Sequence, residues 1–465
     1  MKKIILFLAG VMAAAVFAPQ ASALPLFARQ TGMACSACHF QHFPMLNNFG
    51  RIFKSGAYTL MGAQGKVEDE GLSIPNTLNM AVLTTMGYAK TNAARAGTPD
   101  GVRNPGDGAV YVPGTNGEFS LFLGGRTSEN SGALAELGMK QDAGVGAGLA
   151  SAKMPMLWEV AADARAGLVP FTTGSQGASY GFETLNTGAN AVHTMLFIGG
   201  DFNGSIAPVL SAQQYIGTGV QATGAAFVVN SSKGFINLTK FNQMGPADLA
   251  GTGAALTSTY MRIAATLDVV GWDTGIGVQS WRGSSTSLSF ADNAAVAAGG
   301  LAQNAPVTVT PVATLMDTKA TAIDGQIQGQ FGKMPVGFYV SYATAPGVSA
   351  AAIASGTLAN TYNGGTETRR SVNLAAELGV LPEKATLGFG IRRGKSGVNV
   401  VDALGATIAG TNATDNAWLL EGSYKLAQNM MLNLVYTKQS GTFWNTNAIT
   451  ATGSKQTTVN LATIF

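Results

Sequence analysis

Val372-Asn373-Leu374-Ala375-Ala376-Glu377-Leu378-Gly379-Val380, a turn at Leu381-Pro382-Glu383-Lys384, and then Ala385-Thr386-Leu387-Gly388-Phe389-Gly390-Ile391-Arg392 decide the fold. Val372, Leu374, Ala376, Leu378 and Val380 alternate with Asn373, Ala375, Glu377 and Gly379. After the turn, Ala385, Leu387, Phe389 and Ile391 alternate with Thr386, Gly388, Gly390 and Arg392. Successive side chains of a strand point to opposite faces, so this is a hairpin with one apolar and one polar face. In a soluble sheet the outward face carries Lys and Glu. Here the apolar set is continuous and the charges fall on the other side, the dyad pattern of a membrane barrel strand.

Working outward, the pattern repeats from about Leu78 onward. Trp418, Leu420, Tyr424 and Leu426 form one further apolar face, then Met430, Leu432, Leu434 and Tyr436, and last Val459, Leu461, Thr463 and Phe465. A terminal aromatic in that phase resembles the C-terminal signature of bacterial outer-membrane barrels. Tyr88, Trp158, Tyr342, Trp418, Tyr424 and Tyr436 fall near strand ends, where interfacial aromatic girdles sit. Glu136, Lys140, Glu159, Asp163, Arg165, Arg262, Asp324, Glu377, Arg392 and Glu421 fall on the inward set and read as a lumen network. Short turns (230–233, 332–335, 381–384, 427–429) alternate with long polar loops (284–317, 346–367, 395–415, 439–454), as expected of periplasmic turns and outer loops. About 18 strands can be marked. Ser175 to Thr184 and Ile206 to Ile216, the second containing Pro208, are weak, so the expectation is an all-β transmembrane barrel of about 16 antiparallel strands (roughly 14 to 18).

Composition agrees. Only 11% of the 465 residues are charged, about half the usual share for a soluble protein, and 60 are Gly. Past the first residues no apolar run reaches the roughly 18 residues a membrane helix needs. The formal charge of +3 is too small to point to nucleic acid. Lys2-Lys3, the apolar run from Ile4 to Ala18 and Ala21-Ser22-Ala23 read as a signal peptide over 1–23. The chain then divides into a short, mainly helical or loop segment over 24–75 and a barrel over 76–465, with both ends of the mature chain on the periplasmic side.

The chemistry sits in the first of these. Cys35-Ser36-Ala37-Cys38-His39 is a C-x-x-C-H motif holding both cysteines of the chain. In an exported protein this is the attachment site of a c-type haem: each thiol adds to a haem vinyl group, and the adjacent His becomes the proximal iron ligand. A redox dithiol needs only C-x-x-C and leaves His39 unexplained. Zinc needs about four ligands in a tetrahedron, and Cys35, Cys38, His39 and His42 lie too close along the chain to close one comfortably. The second axial position stays open among Met33, His42, Met45, Met61 and His193. His42 falls on the same face as His39 if the segment is helical, which favours a haem-edge or propionate neighbour over a ligand. Met33 is sterically tight, Met45 follows Pro44, and Met61 has more slack; ordinary apolar packing is the competing role for each Met. His193 lies in a strand-like stretch and reads as a lumen residue. Arg51 and Lys54 either pair with haem propionates or form a solvated basic face.

The run from Pro25 to Pro44, with Leu46-Asn47-Asn48-Phe49-Gly50-Arg51-Ile52-Phe53-Lys54, resembles the fused monohaem cytochrome–porins of iron-oxidising bacteria. That resemblance covers roughly residues 25 to 60 and implies one covalent haem c held by Cys35, Cys38 and His39. It implies an Fe(II)-oxidising oxidoreductase that takes electrons from extracellular Fe(II) and passes them to a periplasmic carrier such as a soluble cytochrome. The site would then be the outer membrane, with its lipid around the barrel. Two other functions stand beside it: a diffusion channel plugged by its haem segment, and an outward, reductive conduit. A segment of about 35 residues is too small to bury a haem alone, so barrel walls would have to supply the rest of its shell.

Overall fold

In a computed structural model the chain is described over residues 25–92, 108–114, 117–139, 148–188, 211–246, 255–289, 312–349, 351, 360–401, 407–445 and 453–465. Two short helices come first, α1 (Pro25–Thr31) and α2 (Asn48–Ser55), then a small hairpin of β1 (Lys66–Asp69) and β2 (Leu72–Pro75). The barrel opens with β3 (Asn79–Thr91), β4 (Ala109–Tyr111), β5 (Phe119–Ser128), β6 (Ser131–Gly138), β7 (Gly148–Lys153), β8 (Met156–Ala161) and β9 (Ala164–Thr173). After the single-turn helix α3 (Ala212–Tyr215) come β10 (Ala222–Ser231), β11 (Gly234–Asn242), β12 (Ser258–Val269) and β13 (Trp272–Arg282). The loop hairpin β14 (Ser284–Ser289) and β15 (Val312–Asp317) precedes β16 (Ala320–Phe331), β17 (Met334–Ala345), β18 (Arg369–Leu381) and β19 (Ala385–Lys395). A second, minimal loop hairpin, β20 (Val400–Val401) and β21 (Thr407–Ile408), precedes β22 (Thr414–Ala427), β23 (Met430–Ser440) and β24 (Lys455–Ile464).

Every barrel pairing is antiparallel, and β24 closes on β3 with Val459 opposite Tyr88. β7 and β8 make one stave, interrupted at Met154-Pro155, and β4 pairs only with β3, which leaves a closed barrel of 16 staves. Proline has no N–H to give to the ladder, which accounts for the break. The hairpin that opened the reading pairs as expected, Leu374 with Ile391 and Ala376 with Phe389. Its apolar set faces out and its polar set is buried: Leu374, Leu387 and Phe389 are exposed, while Asn373, Glu377 and Arg392 are at most 2% exposed. Phe227, Ile236, Ile263, Ile276, Ile323, Phe338, Leu420 and Leu434 continue that outer apolar surface, with Tyr88, Trp158 and Tyr342 also outward. This is a transmembrane outer-membrane-type barrel with a lipid-facing exterior.

Tight connections all gather at one end, between β5 and β6, β8 and β9, β10 and β11, β12 and β13, β16 and β17, β18 and β19, and β22 and β23. The long connections gather at the other. Phe465 pairs with Val82 at the tight-turn end, where β3 also begins.

A barrel of this strand number encloses space that side chains alone do not fill. Here two pieces of chain occupy the lumen, residues 25–65 and residues 174–188 with 211–221. Arg51 meets Asp273 on the inner wall, Asn237 donates to Phe182 O, and the Ala212 N–H donates to Ser341. Residues 175–184 and 211–216 of the two weak strands in the sequence reading are therefore not staves, and residues 206–210 lie outside the described residues. Tyr180, Phe182, Glu183, Leu185 and Thr187 are at most 2% exposed, and 178–180 forms a helical turn. Ala212–Tyr215 is a helix whose N-cap Ser211 and Gln214 form a reciprocal capping box. They read as strands because buried polar–apolar mixtures alternate in any internal segment. The inward charges need one correction as well: Asp163 caps a tight turn, bonded to Ser232, while Glu159 faces inward opposite Arg165. Lys140 and His193 lie outside the described residues, as does the signal segment.

Candidate haem-attachment site

The motif is shaped by a short helical turn. Cys35, Ser36 and Ala37 form one 3-10 turn, and the N–H groups of Cys38 and His39 both donate to Cys35 O. That turn sets Cys35 and Cys38 three residues apart, with His39 directly after. Both cysteines are free thiols. Burial pushes the Cys35 thiol up to about 12 against the lowering effect of Lys425, and burial raises Cys38 as well. Redox-active cysteines have depressed values, so this environment speaks against a catalytic dithiol. Among the described residues no three or more His, Cys, Asp and Glu side chains converge as a metal-ion site, so the zinc reading finds no geometry.

His39 is oriented from behind. Its Nδ1 lies 3.0 Å from Met45 O, and His39 and Leu46 form a β-bridge. Burial lowers the ring to about 4, despite the Met45 carbonyl, so the imidazole is neutral. Metal-bound histidines use the same arrangement, a neutral ring with one nitrogen held on a carbonyl and the other left for the metal. Asn47 then caps α2 by accepting from Gly50 N, and its amide donates to Ser36 O and Ala37 O, tying the helix to the motif. Gly50 is required there: a Cβ would sit 2.1 Å from Cys38 O.

Beside His39 a cavity of about 230 Å3 opens at the tight-turn mouth of the barrel. Ser36, His39, Phe40 and Phe43 line it from the segment, and Gln330, Lys333, Lys425, Met430 and Met431 line it from the wall. The lysines and methionines were not singled out in sequence. Lys333 and Lys425 flank strand-end turns, where a basic residue looks like any solvated one. Met431 was legible only through parity, since Leu432 and Leu434 hold the outward phase.

The remaining sequence candidates are placed elsewhere. His42 is buried with both ring nitrogens engaged, Nδ1 with Phe43 O at 2.9 Å and Nε2 with Glu377 Oε2 at 2.9 Å. Burial alone would lower this ring, but the Glu377 carboxylate outweighs it and holds His42 at about 9. Two acceptors against two nitrogens describe an imidazolium, which has no lone pair for iron. The Met45 side chain is 0% exposed and packs on Tyr339, Ala375, Ala417, Leu419 and Val435 of the wall. Met33 is surface-exposed, and Met61 is half-buried beside Gly62, whose N–H donates to Gln30 O. Arg51 is neither propionate partner nor solvated face: its guanidinium donates to both Asp273 oxygens at 2.5 Å. Lys54 is buried beside Glu183 and lowered to about 7 by that burial. Both residues dock the segment onto the lumen.

Above the segment lies a second polar centre. Arg262 pairs with Asp324 and, at 3.1 Å, with Glu183, all three side chains 0% exposed. Asp324 also accepts from Thr187 at 2.6 Å and Gln279 at 2.8 Å. These groups knit residues 174–188 to the wall.

No protein-family profile matches the chain, and no curated protein matches it in sequence. Among solved structures it is similar to OmpT, an outer-membrane protein of Vibrio cholerae, with 9% identity and a TM-score of 0.44 over 86% of this chain and 100% of that one. It is also similar to a mutant of the Rh. blastica porin, with 11% identity and a TM-score of 0.44 over 84% and 100%. The outer-membrane channel DcaP of Acinetobacter baumannii gives 9% identity and a TM-score of 0.42 over 84% and 97%. The barrel itself stands on its own strand pairing.

Proposed function

We propose that this chain is an outer-membrane electron-transfer protein carrying one covalent haem c, which oxidises extracellular Fe(II) and passes the electron to a periplasmic carrier. The observation that carries the haem is His39: it follows two thiols on one helical turn, its Nδ1 is held by Met45 O, and its ring borders an open cavity. Nε2 is then the nitrogen left for iron. Cys35 and Cys38 would bond the macrocycle, and Lys333 and Lys425, which line the cavity, supply cations for its propionates. When bound, the group supplies one-electron exchange. The protein's own contribution is to hold the neutral His39 ring in one orientation, to exclude water from the segment's packed side, and to leave the other side open at the barrel mouth.

The choice of Fe(II) rests on the resemblance of residues 25–60. Short turns face the periplasm in barrels of this class, so the cavity would open toward a soluble carrier. A diffusion channel is the second reading, and the porin-like barrel favours it. Against it, the described lumen is occupied by two chain segments with water-excluded ion pairs. An outward, reductive conduit differs from the first reading in potential.

Fe(II) titrated into the purified, oxidised protein should convert the ferric Soret band to the ferrous one. Absence of any haem spectrum from protein matured with its haem-attachment machinery, together with solute flux through liposomes, would transfer the assignment to the channel. A haem of low, bis-His potential would transfer it to the reductive conduit.

A further inference from the structure

We propose that the second axial ligand of the haem is the thioether of Met431, supplied by the barrel wall rather than by the segment that bears the C-x-x-C-H motif. The proposal rests on the haem reading above and deepens it. His39 and Met431 border the same cavity, one from the lumen segment and one from β23. Along β23, Asn433, Val435 and Thr437 are buried while Leu432 and Leu434 are exposed. Strand parity therefore turns Met431 inward. None of the four methionine and histidine candidates within the segment has a free donor at the cavity. The His42 ring is held by Phe43 O and Glu377, and Met45 is packed into the wall behind His39. Met33 and Met61 do not line the cavity.

The chemistry suits a neutral site. A thioether is a soft, uncharged ligand that needs no deprotonation, and Met opposite His raises the potential relative to two histidines. It also explains why a segment this short is fused to a barrel. The segment holds the proximal ligand and the wall holds the distal one, so the metal site is complete only when the segment is docked. Arg51–Asp273 and His42–Glu377 are the contacts that dock it.

The test compares the full-length holoprotein with Met431→Leu, Met61→Leu and Met431→His, each checked for an intact barrel by heat-modifiable gel mobility. The unsubstituted protein should show a low-spin ferric spectrum with the near-infrared thioether-to-iron charge-transfer band. Met431→Leu should lose that band, become five-coordinate, bind CO in the ferrous state and show a lower reduction potential. Met431→His should restore six-coordinate, low-spin haem at a potential still below the original, and Met61→Leu, outside the cavity, should change nothing. Retention of the band in Met431→Leu, or haem without the band in the unsubstituted protein, overturns the proposal and leaves the haem reading standing. Absence of haem altogether overturns both.

Discussion

Replacing Asp324 by Leu tests whether buried charge fastens the inner segment to the barrel. Asp324 neutralises Arg262 at a point where neither side chain touches water. Its oxygens also accept from Thr187 at 2.6 Å, Gln279 at 2.8 Å and Gln213 at 3.4 Å. Removing one partner of such a pair leaves an uncompensated charge, which costs about 3–5 kcal/mol. Each stranded donor adds about 1–3 kcal/mol unless it finds another acceptor. Glu183 remains 3.1 Å from Arg262, so part of the charge is still compensated and the lower end applies, about 3 kcal/mol. The assay is reversible urea unfolding in lipid vesicles, followed by tryptophan fluorescence, with Arg262→Met and the double variant completing a cycle. The double change should cost about 3 kcal/mol less than the sum of the singles, because it removes both the charge and its counter-ion. Because Thr187 and Gln213 belong to the inserted segment, Asp324→Leu should also raise ion leak across a bilayer. A single-variant loss below about 1 kcal/mol with additive singles would refute the reasoning.

Gly50→Ala sets two effects against each other: helix propensity favours Ala by about 1 kcal/mol, while the new Cβ meets backbone at 2.1 Å from Cys38 O. The clash wins, at about 1–3 kcal/mol, and limited proteolysis should show the 35–60 region loosened; a stabilised variant would count against the packing of α2 on the motif. His42, held above its unfolded value by Glu377, contributes docking stability that is fully present below about pH 6.5 and is lost as pH rises through about 9. Hydrogen exchange of the segment should accelerate across that window, and Glu377→Gln should abolish the step. His39→Ala should remove low-spin haem while the barrel still inserts and shows normal heat-modifiability; loss of the barrel too would mean His39 acts structurally.

The barrel was legible in the chain because its code is local and has a period of two. Lipid outside and polar contents inside force Leu374, Leu387 and Phe389 to one face and Asn373, Glu377 and Arg392 to the other, and no distant contact is needed to read that. The motif was legible for a similar reason, since Cys35, Cys38 and His39 are contiguous. Residues 175–184 and 211–216 misled because burial inside a barrel produces the same mixed pattern as a weak strand. Arg51 misled because its partner, Asp273, is 222 residues away.

By itself, then, the sequence determined which face of each strand meets lipid, how the strands connect, and the C-x-x-C-H motif at Cys35, Cys38 and His39. Only the tertiary structure decided what surrounds that motif. Closing sixteen staves puts the turn-flanking Lys333, Lys425 and Met431 around His39, and commits His42 and Arg51 to the wall. Contacts made by closure join residues hundreds of positions apart, and nothing in the local spacing of either partner records them.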